Sequence, residues 1–134
     1  MSIVNVRAAL EAKLNGMANP ISYAWENVPF TPVVGVPYAA AYLLPASPEN
    51  PTMGDTYYQE QGIFQVSLFY PLQVGPAAAA VRAQLIRTAF KRGTSMVSGT
   101  VTVRVSRTPE IGQGRVDGDR WHLPVRIVWF AGIT

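Results

Sequence analysis

Two hydrophobic periods meet in the middle of this chain. From Gly62 to Tyr70, Phe64, Val66, Leu68 and Tyr70 fall on one face and Ile63, Gln65, Ser67 and Phe69 on the other. This is the period of two of a strand with one well-buried side. Pro71 ends it, because proline cannot donate to a ladder. The period then changes to that of a helix running from Pro76 to about Gly93. Pro76 at its start loses only a donor that would be orphaned anyway, and Gly93 suits a left-handed stop. Lys91 and Arg92 are placed in the last turn, where the dipole favours positive charge.

On this helix Ala78, Val81, Leu85 and Ala89 form one apolar strip, and Ala79, Ala83, Ile86 and Phe90 form a second, with Arg82 between them. The combined arc of roughly 200° exceeds the ~100° a surface helix needs to cover its own core. The first strip is expected on the sheet. The second needs a further partner, either the N-terminal helix or a neighbouring subunit. Ile86 and Phe90 are therefore expected to be more accessible in a lone protomer than Val81 and Leu85, so that Phe90→Ser impairs assembly more than folding.

The rest of the chain supplies partners for the central strand. Ser2 is an N-cap candidate for a helix with Ile3, Val6, Leu10, Leu14 and Met17 on one stripe, ending near Asn15-Gly16. Ile21, Tyr23 and Trp25 alternate as a short strand, and a second strand runs from Tyr38 to Leu44, stopped by Pro45. Residues 45–61 hold three prolines and show no periodicity. They read as a long functional or mobile connection, with Met53, Tyr57 and Tyr58 as adhesive side chains, ordered on assembly. Val101, Val103 and Val105 alternate with polar residues in one strand, Glu110 to Gly118 reads as a turn-rich loop, and Arg120 to Phe130 as the last strand, with Pro124 marking an edge or bulge. The expected fold is α+β in the order α-β-β-β-α-β-β: one domain over 1–134, with a largely antiparallel mixed sheet of about five strands and two main helices on one face.

Composition adds exclusions. With no cysteine, disulfides and thiolate chemistry are ruled out. No apolar run approaches the ~20 residues of a membrane span, and the amphipathic N-terminus lacks a signal-peptide core, so a soluble cytosolic protein is expected. The formal charge of +3 conceals an asymmetry: residues 1–61 carry two basic and five acidic groups, residues 62–134 nine basic and three acidic. Such a split suits nucleic-acid contact or a self-complementary surface.

Catalytic signals are weak. No phosphate loop, nucleophile elbow or zinc spacing appears. Gly112, Gly114 and Gly118 lie between strands and open no helix, so they read as a hairpin loop. His122, the one histidine, has Asp117 and Asp119 nearby in sequence but no nucleophile signature, and reads as a half-exposed strand residue. Arg82, Arg87, Lys91 and Arg92 read as a solvated helix face, without an accompanying nucleic-acid-binding module. No catalytic, cofactor or metal residues are expected.

The runs AWENVPFTP, LLPASPENPTMGDTYYQEQGIFQVSLFYP, GPAAAAVRAQLIRTAFKRG and RWHLPVRIVWFA together resemble a family of small phage and prophage proteins encoded among tail genes. That family carries a phage-related domain of unknown function and is similar to the tail-terminator (tail-completion) proteins of long, non-contractile-tailed phages. The most distinctive pieces are Trp25 to Phe30 and the Gly-Asp-x-Tyr-Tyr loop at Gly54 to Tyr58. The resemblance implies a structural, non-enzymatic virion protein: a ring-forming homo-oligomer, a hexamer in the family's proposed arrangement, at the head-proximal end of the tail. It would be assembled in the bacterial cytoplasm and contact the tail-tube protein and the head connector or neck proteins. No membrane partner, direct nucleic-acid contact or cofactor is expected.

The candidate assembly interface is Glu49, Met53, Asp55, Tyr57, Tyr58, Glu60, Arg82, Ile86, Arg87, Phe90, Lys91 and Arg92, with the acidic first half of one subunit meeting the basic second half of the next. Two other readings remain: a head-completion or neck adaptor of the same module, and a small ligand-binding or enzymatic domain.

Overall fold

The computed structural model describes residues 2–17, 21–51, 54, 56–73 and 75–133. The helix α1 (Ser2–Asn15) leads to the strands β1 (Ser22–Trp25), β2 (Tyr38–Pro45) and β3 (Tyr58–Pro71). After these come α2 (Ala77–Ala89), β4 (Ser95–Ser98), β5 (Val101–Val105), β6 (Glu110–Ile111), β7 (Arg115–Asp117) and β8 (Arg120–Ile133). The sheet runs β1-β2-β3-β8-β5-β4, with β6 and β7 also paired to β8. Among the described residues only the β1–β2 pair is parallel. The class is the expected α+β, but the sheet is larger than five strands.

The extra strands arise at positions that periodicity alone does not resolve. Val97 and Val101 are separated by Ser98-Gly99-Thr100; Gly99 takes a left-handed φ of +60° and folds the segment into the β4–β5 hairpin, pairing Ser98 with Val101. The turn-rich segment 110–118 contributes β6 and β7, which are too short to show a period and lie against β8 in succession. β3 begins at Tyr58, four residues before the apolar alternation. Gln59, Glu60 and Gln61 pair with Gly132, Ala131 and Phe130, so backbone pairing rather than a hydrophobic face makes this stretch a strand.

The connection between β2 and β3 is correspondingly shorter than a structureless 45–61. Ala46 N–H donates to Gln61 O, and Glu49 and Gln59 exchange both backbone bonds. These continue the antiparallel ladder beyond Pro45.

β3 and β8, fourteen residues each and paired along their whole length, are the frame of the molecule. On one face Phe64, Val66 and Leu68 stand opposite Ile127, Val125 and Leu123, all buried. Val6, Leu10 and Leu14 of α1 and Ala79, Ala83, Ile86 and Phe90 of α2 join the same hydrophobic cluster. The stripe on α1 is the expected one, except that Ile3 is exposed and Met17 half-buried. Gly62 is fixed by packing at this level: a Cβ there would meet Leu44 O at 2.5 Å and the Trp129 ring at 3.0 Å.

Pro124 sits neither on an edge strand nor at a sheet margin. β8 is flanked by β3 on one side and by β7, β6 and β5 in turn on the other. The Pro124 carbonyl accepts from Gly112 N–H at 2.8 Å, so the backbone edge of Pro124 faces residues 112–114, between β6 and β7. The missing N–H thus falls where the ladder is already interrupted, which makes the proline tolerable in a central strand.

The two apolar strips of α2 are assigned in the reverse of the expected order. Ile86 and Phe90 are 0% exposed, whereas Val81 is 61% and Leu85 40% exposed. Ala79 and Ala83 are the small residues against the sheet, and the Phe90 ring reaches to 6.4 Å from that of Phe64. The bulkiest side chain of the helix thereby takes the core, where its apolar area stabilises most. α2 also stops earlier than expected. Phe90 is its C-cap, so Lys91 and Arg92 lie past the last turn, and Gly93 N–H bonds to Val105 O, tying the exit to the sheet.

Candidate assembly surfaces

The outer side of α2 is the first surface. Of the candidate interface residues, Arg82, Ile86 and Phe90 are buried within the protomer. Arg82 acts inward: burial raises the Tyr23 phenol above its ordinary pKa, and the Arg82 charge pulls against that rise. Arg87 is half-buried, and its Nε donates to Pro109 O at 3.1 Å. Lys91 and Arg92 are exposed. The apolar groups that do face outward are Val81 and Leu85. Leu85, Thr88 and Ala89 line a groove of about 410 Å3 together with Ala12, Lys13, Gly16 and Met17 of the α1 end.

The second surface is the start of β3 with the segment before it. Glu49 is exposed, and its Oε1 lies 3.5 Å from the Gln61 side-chain amide that donates to it. Tyr57 lies over the end of β8, where a Cβ on Gly132 would meet its hydroxyl at 3.0 Å. Tyr58 and Glu60 are half-buried strand residues, opposite Ile133 and Ala131. Met53 and Asp55 lie outside the described residues. Among the described residues no ion pair joins Glu49 or Glu60 to Arg87, Lys91 or Arg92, so these opposite charges are not consumed within the protomer.

A third surface was not visible in the sequence. On the sheet face opposite the helices' cluster, Phe30, Tyr38, Phe69 and His122 form a row of rings. Successive centroids are 5.0, 4.9 and 4.7 Å apart, and His122 lies 9° from parallel to Phe69. The register Tyr38↔Phe69↔His122 produces the row. Arg120 closes one end, its guanidinium 5.1 Å from the Tyr38 ring centroid. It donates to the carbonyls of Val36 and Val33, the latter at 2.7 Å. A single buried arginine thereby fastens the Val33–Val36 turn, with Gly35 at φ +79°, to the sheet. Farther along the same face Tyr42 and Leu44 are exposed.

The Trp25–Phe30 run is fastened by Glu26. Burial would raise the Glu26 carboxyl, but Leu43 N–H (2.7 Å) and Arg7 Nη1 (3.0 Å) both donate to its Oε1 and hold its pKa below the ordinary value. The parallel register Trp25↔Ala41 sets Glu26 beside Leu43, and Asn27 follows at φ +58°. This contribution is present above the ordinary carboxylate pKa and is lost as pH falls through the depressed one.

His122 is 6% exposed, more deeply set than a half-exposed strand residue. It lines a polar cavity of about 400 Å3 with Gln65, Gln113, Arg115 and Arg126. Burial, then the Arg115 charge, push its pKa below the ordinary value, with Asp117 opposing. No group of three or more His, Cys, Asp or Glu among the described residues could hold a metal ion, and no helix of the described residues is long and apolar enough to cross a membrane.

Comparison with known proteins gives three results. No curated protein matches the chain. A solved structure 27% identical in sequence superposes with a TM-score of 0.81, covering 100% of this chain and 98% of its own, so the overall fold recurs in a second protein of nearly equal length. Residues 5–129 match the family described as phage tail terminator protein, and the chain belongs to that family.

Proposed function

We propose that this protein completes the phage tail as a single-domain subunit of a homo-oligomeric ring at the head-proximal end of the tail tube. There it stops tube polymerisation and offers a surface to the head connector, and its role is structural rather than catalytic. The observation that carries this reading is the family match over residues 5–129, and the surfaces of the protomer are compatible with it. A cyclic ring of more than two subunits needs two different patches that meet head to tail.

The exposed side of α2, with Val81, Leu85, Lys91 and Arg92, is one such patch, apolar at its centre and basic at its end. The β2–β3 connection, with Glu49, Asp55 and Tyr57, together with Tyr58 and Glu60 at the start of β3, is its acidic complement. Exposed ion pairs contribute only about 0–1 kcal/mol each and are screened over about 8–10 Å at physiological salt. They set register and association rate, while apolar contact at Val81 and Leu85 supplies affinity.

Native mass spectrometry over a range of concentrations, with electron cryomicroscopy of assembled tails, tests this reading. A closed ring seated between tube and connector is expected. A protein found only at a head-side joint would instead make it a head-completion adaptor, and a protein absent from virions would overturn the assignment.

A further inference from the structure

The interruption between β6 and β7 leaves a cavity on the sheet face opposite the helices' cluster. Its wall is the backbone of residues 112–114, pressed against the strand beneath. A Cβ on Gly112 would meet Pro124 Cγ at 2.7 Å, and one on Gly114 would overlap the Trp121 ring. The remaining lining is polar: Gln65 from β3, Gln113 and Arg115 from the loop and β7, and His122 and Arg126 from β8.

Two features of this cavity are unbalanced. The first is His122: 6% exposed, its ring face covered by Phe69, with neither ring nitrogen hydrogen-bonded among the described residues. A buried imidazole N–H without an acceptor is costly, and native sites supply a partner. The second is charge. Arg115 and Arg126 bring two guanidinium groups to the lining. Of the acids that bear on the site, Glu110, at an exposed position, accepts among the described residues from Arg126 Nη1 at 3.0 Å. Asp117 acts on the imidazole through space without a hydrogen bond to it.

Phe69, from the facing strand, brings no charge, and Gln65 is committed through its amide to Ser67 Oγ at 3.0 Å. The cavity lining thus holds an excess of positive over negative charge.

We propose that this cavity is a binding site for a compact oxyanion, a carboxylate or phosphate group, held by Arg115 and Arg126 beside the His122 ring. Guanidinium forks match the planar or tetrahedral array of oxygens that such a group presents. Burial, Arg115 and Arg126 all hold the imidazole toward its neutral form, with Asp117 opposing. An anion seated against it offsets the two arginines and favours the imidazolium, so occupancy raises the His122 pKa and binding takes up a proton. The site lies apart from α2 and from the β2–β3 connection, so it does not depend on how subunits join.

The test uses the fact that His122 is the only histidine, which gives one imidazole Cε1–H resonance in the NMR spectrum of the full chain. Inorganic phosphate and acetate are titrated separately at constant ionic strength, with chloride as the reference anion. A saturable shift with at least one oxyanion is expected, together with a rise in the His122 pKa of about one unit, a tenfold coupling. Arg115→Ala, at an exposed position on a three-residue strand, should weaken binding at least several-fold. Glu110→Gln, which releases Arg126, should tighten it. Saturation by phosphate alone or acetate alone identifies the group recognised, and either outcome supports the site. An equal response to chloride, no saturation by either oxyanion, or saturation indifferent to both substitutions would overturn it, leaving water as the partner of His122.

Discussion

The two apolar strips of α2 have similar composition and opposite fates. Ala79, Ala83, Ile86 and Phe90 are completely buried, while Val81 and Leu85, on the same thirteen-residue helix, face solvent in the protomer. Each strip satisfies helical periodicity, so periodicity cannot rank them. The ranking comes from fit: two alanines at the sheet make room for Ile86 and for Phe90 beside Phe64, and the strip so placed buries the greater area. An apolar strip is therefore evidence of contact, but the contact can lie within the protomer or outside it.

The difference should appear most strongly in Phe90→Ala. Loss of about 3–5 kcal/mol of protomer stability is expected for a fully enclosed aromatic, measured by denaturant unfolding at a concentration where the protein is dissociated. A loss below about 1 kcal/mol would place Phe90 at the surface and restore the opposite phase for the helix.

A smaller effect should come from enlarging the alanines on each side. Ala83→Leu forces a larger side chain between α2 and the sheet and should cost about 1–3 kcal/mol. Ala78→Leu, at an exposed position, should change stability by no more than about 0.5 kcal/mol. Equal costs would mean that the helix lies differently on the sheet.

Charge reversal past the end of the helix sharpens the comparison from the outer side. Lys91→Glu with Arg92→Glu should shift protomer stability by at most about 1 kcal/mol, because both groups are exposed and lie beyond the last turn. Association of labelled subunits should nevertheless slow and change its dependence on ionic strength. Association indifferent to both salt and reversal would leave apolar contact as the driving force.

The smallest effect on folding is expected for Val81→Ser, within about 0.5 kcal/mol. Its effect on assembly should be the larger one, read as a shift of the oligomer distribution in native mass spectrometry. An unchanged distribution would remove Val81 from the interface.

The sequence by itself determined the elements that have long, unambiguous periods. The alternation at Phe64 to Tyr70 and at Trp121 to Trp129, and the stripe Val6, Leu10 and Leu14, identify β3, β8 and α1 because each presents one face that must be buried. It also carried the family resemblance, through runs such as Trp25 to Phe30.

Tertiary structure alone decided the matters that depend on what lies opposite. It chose between the two strips of α2, recruited Gln59, Glu60 and Gln61 into β3 by backbone pairing, and folded 110–118 into strands too short to show a period. It also assembled Tyr38, Phe69 and His122 from three strands into one row, and buried Arg120 against the Val33–Val36 turn. A single chain segment records its own hydrophobic face. It does not record the register that brings a ring, a charge or a proline to a particular neighbour, because register is a property of pairs of strands.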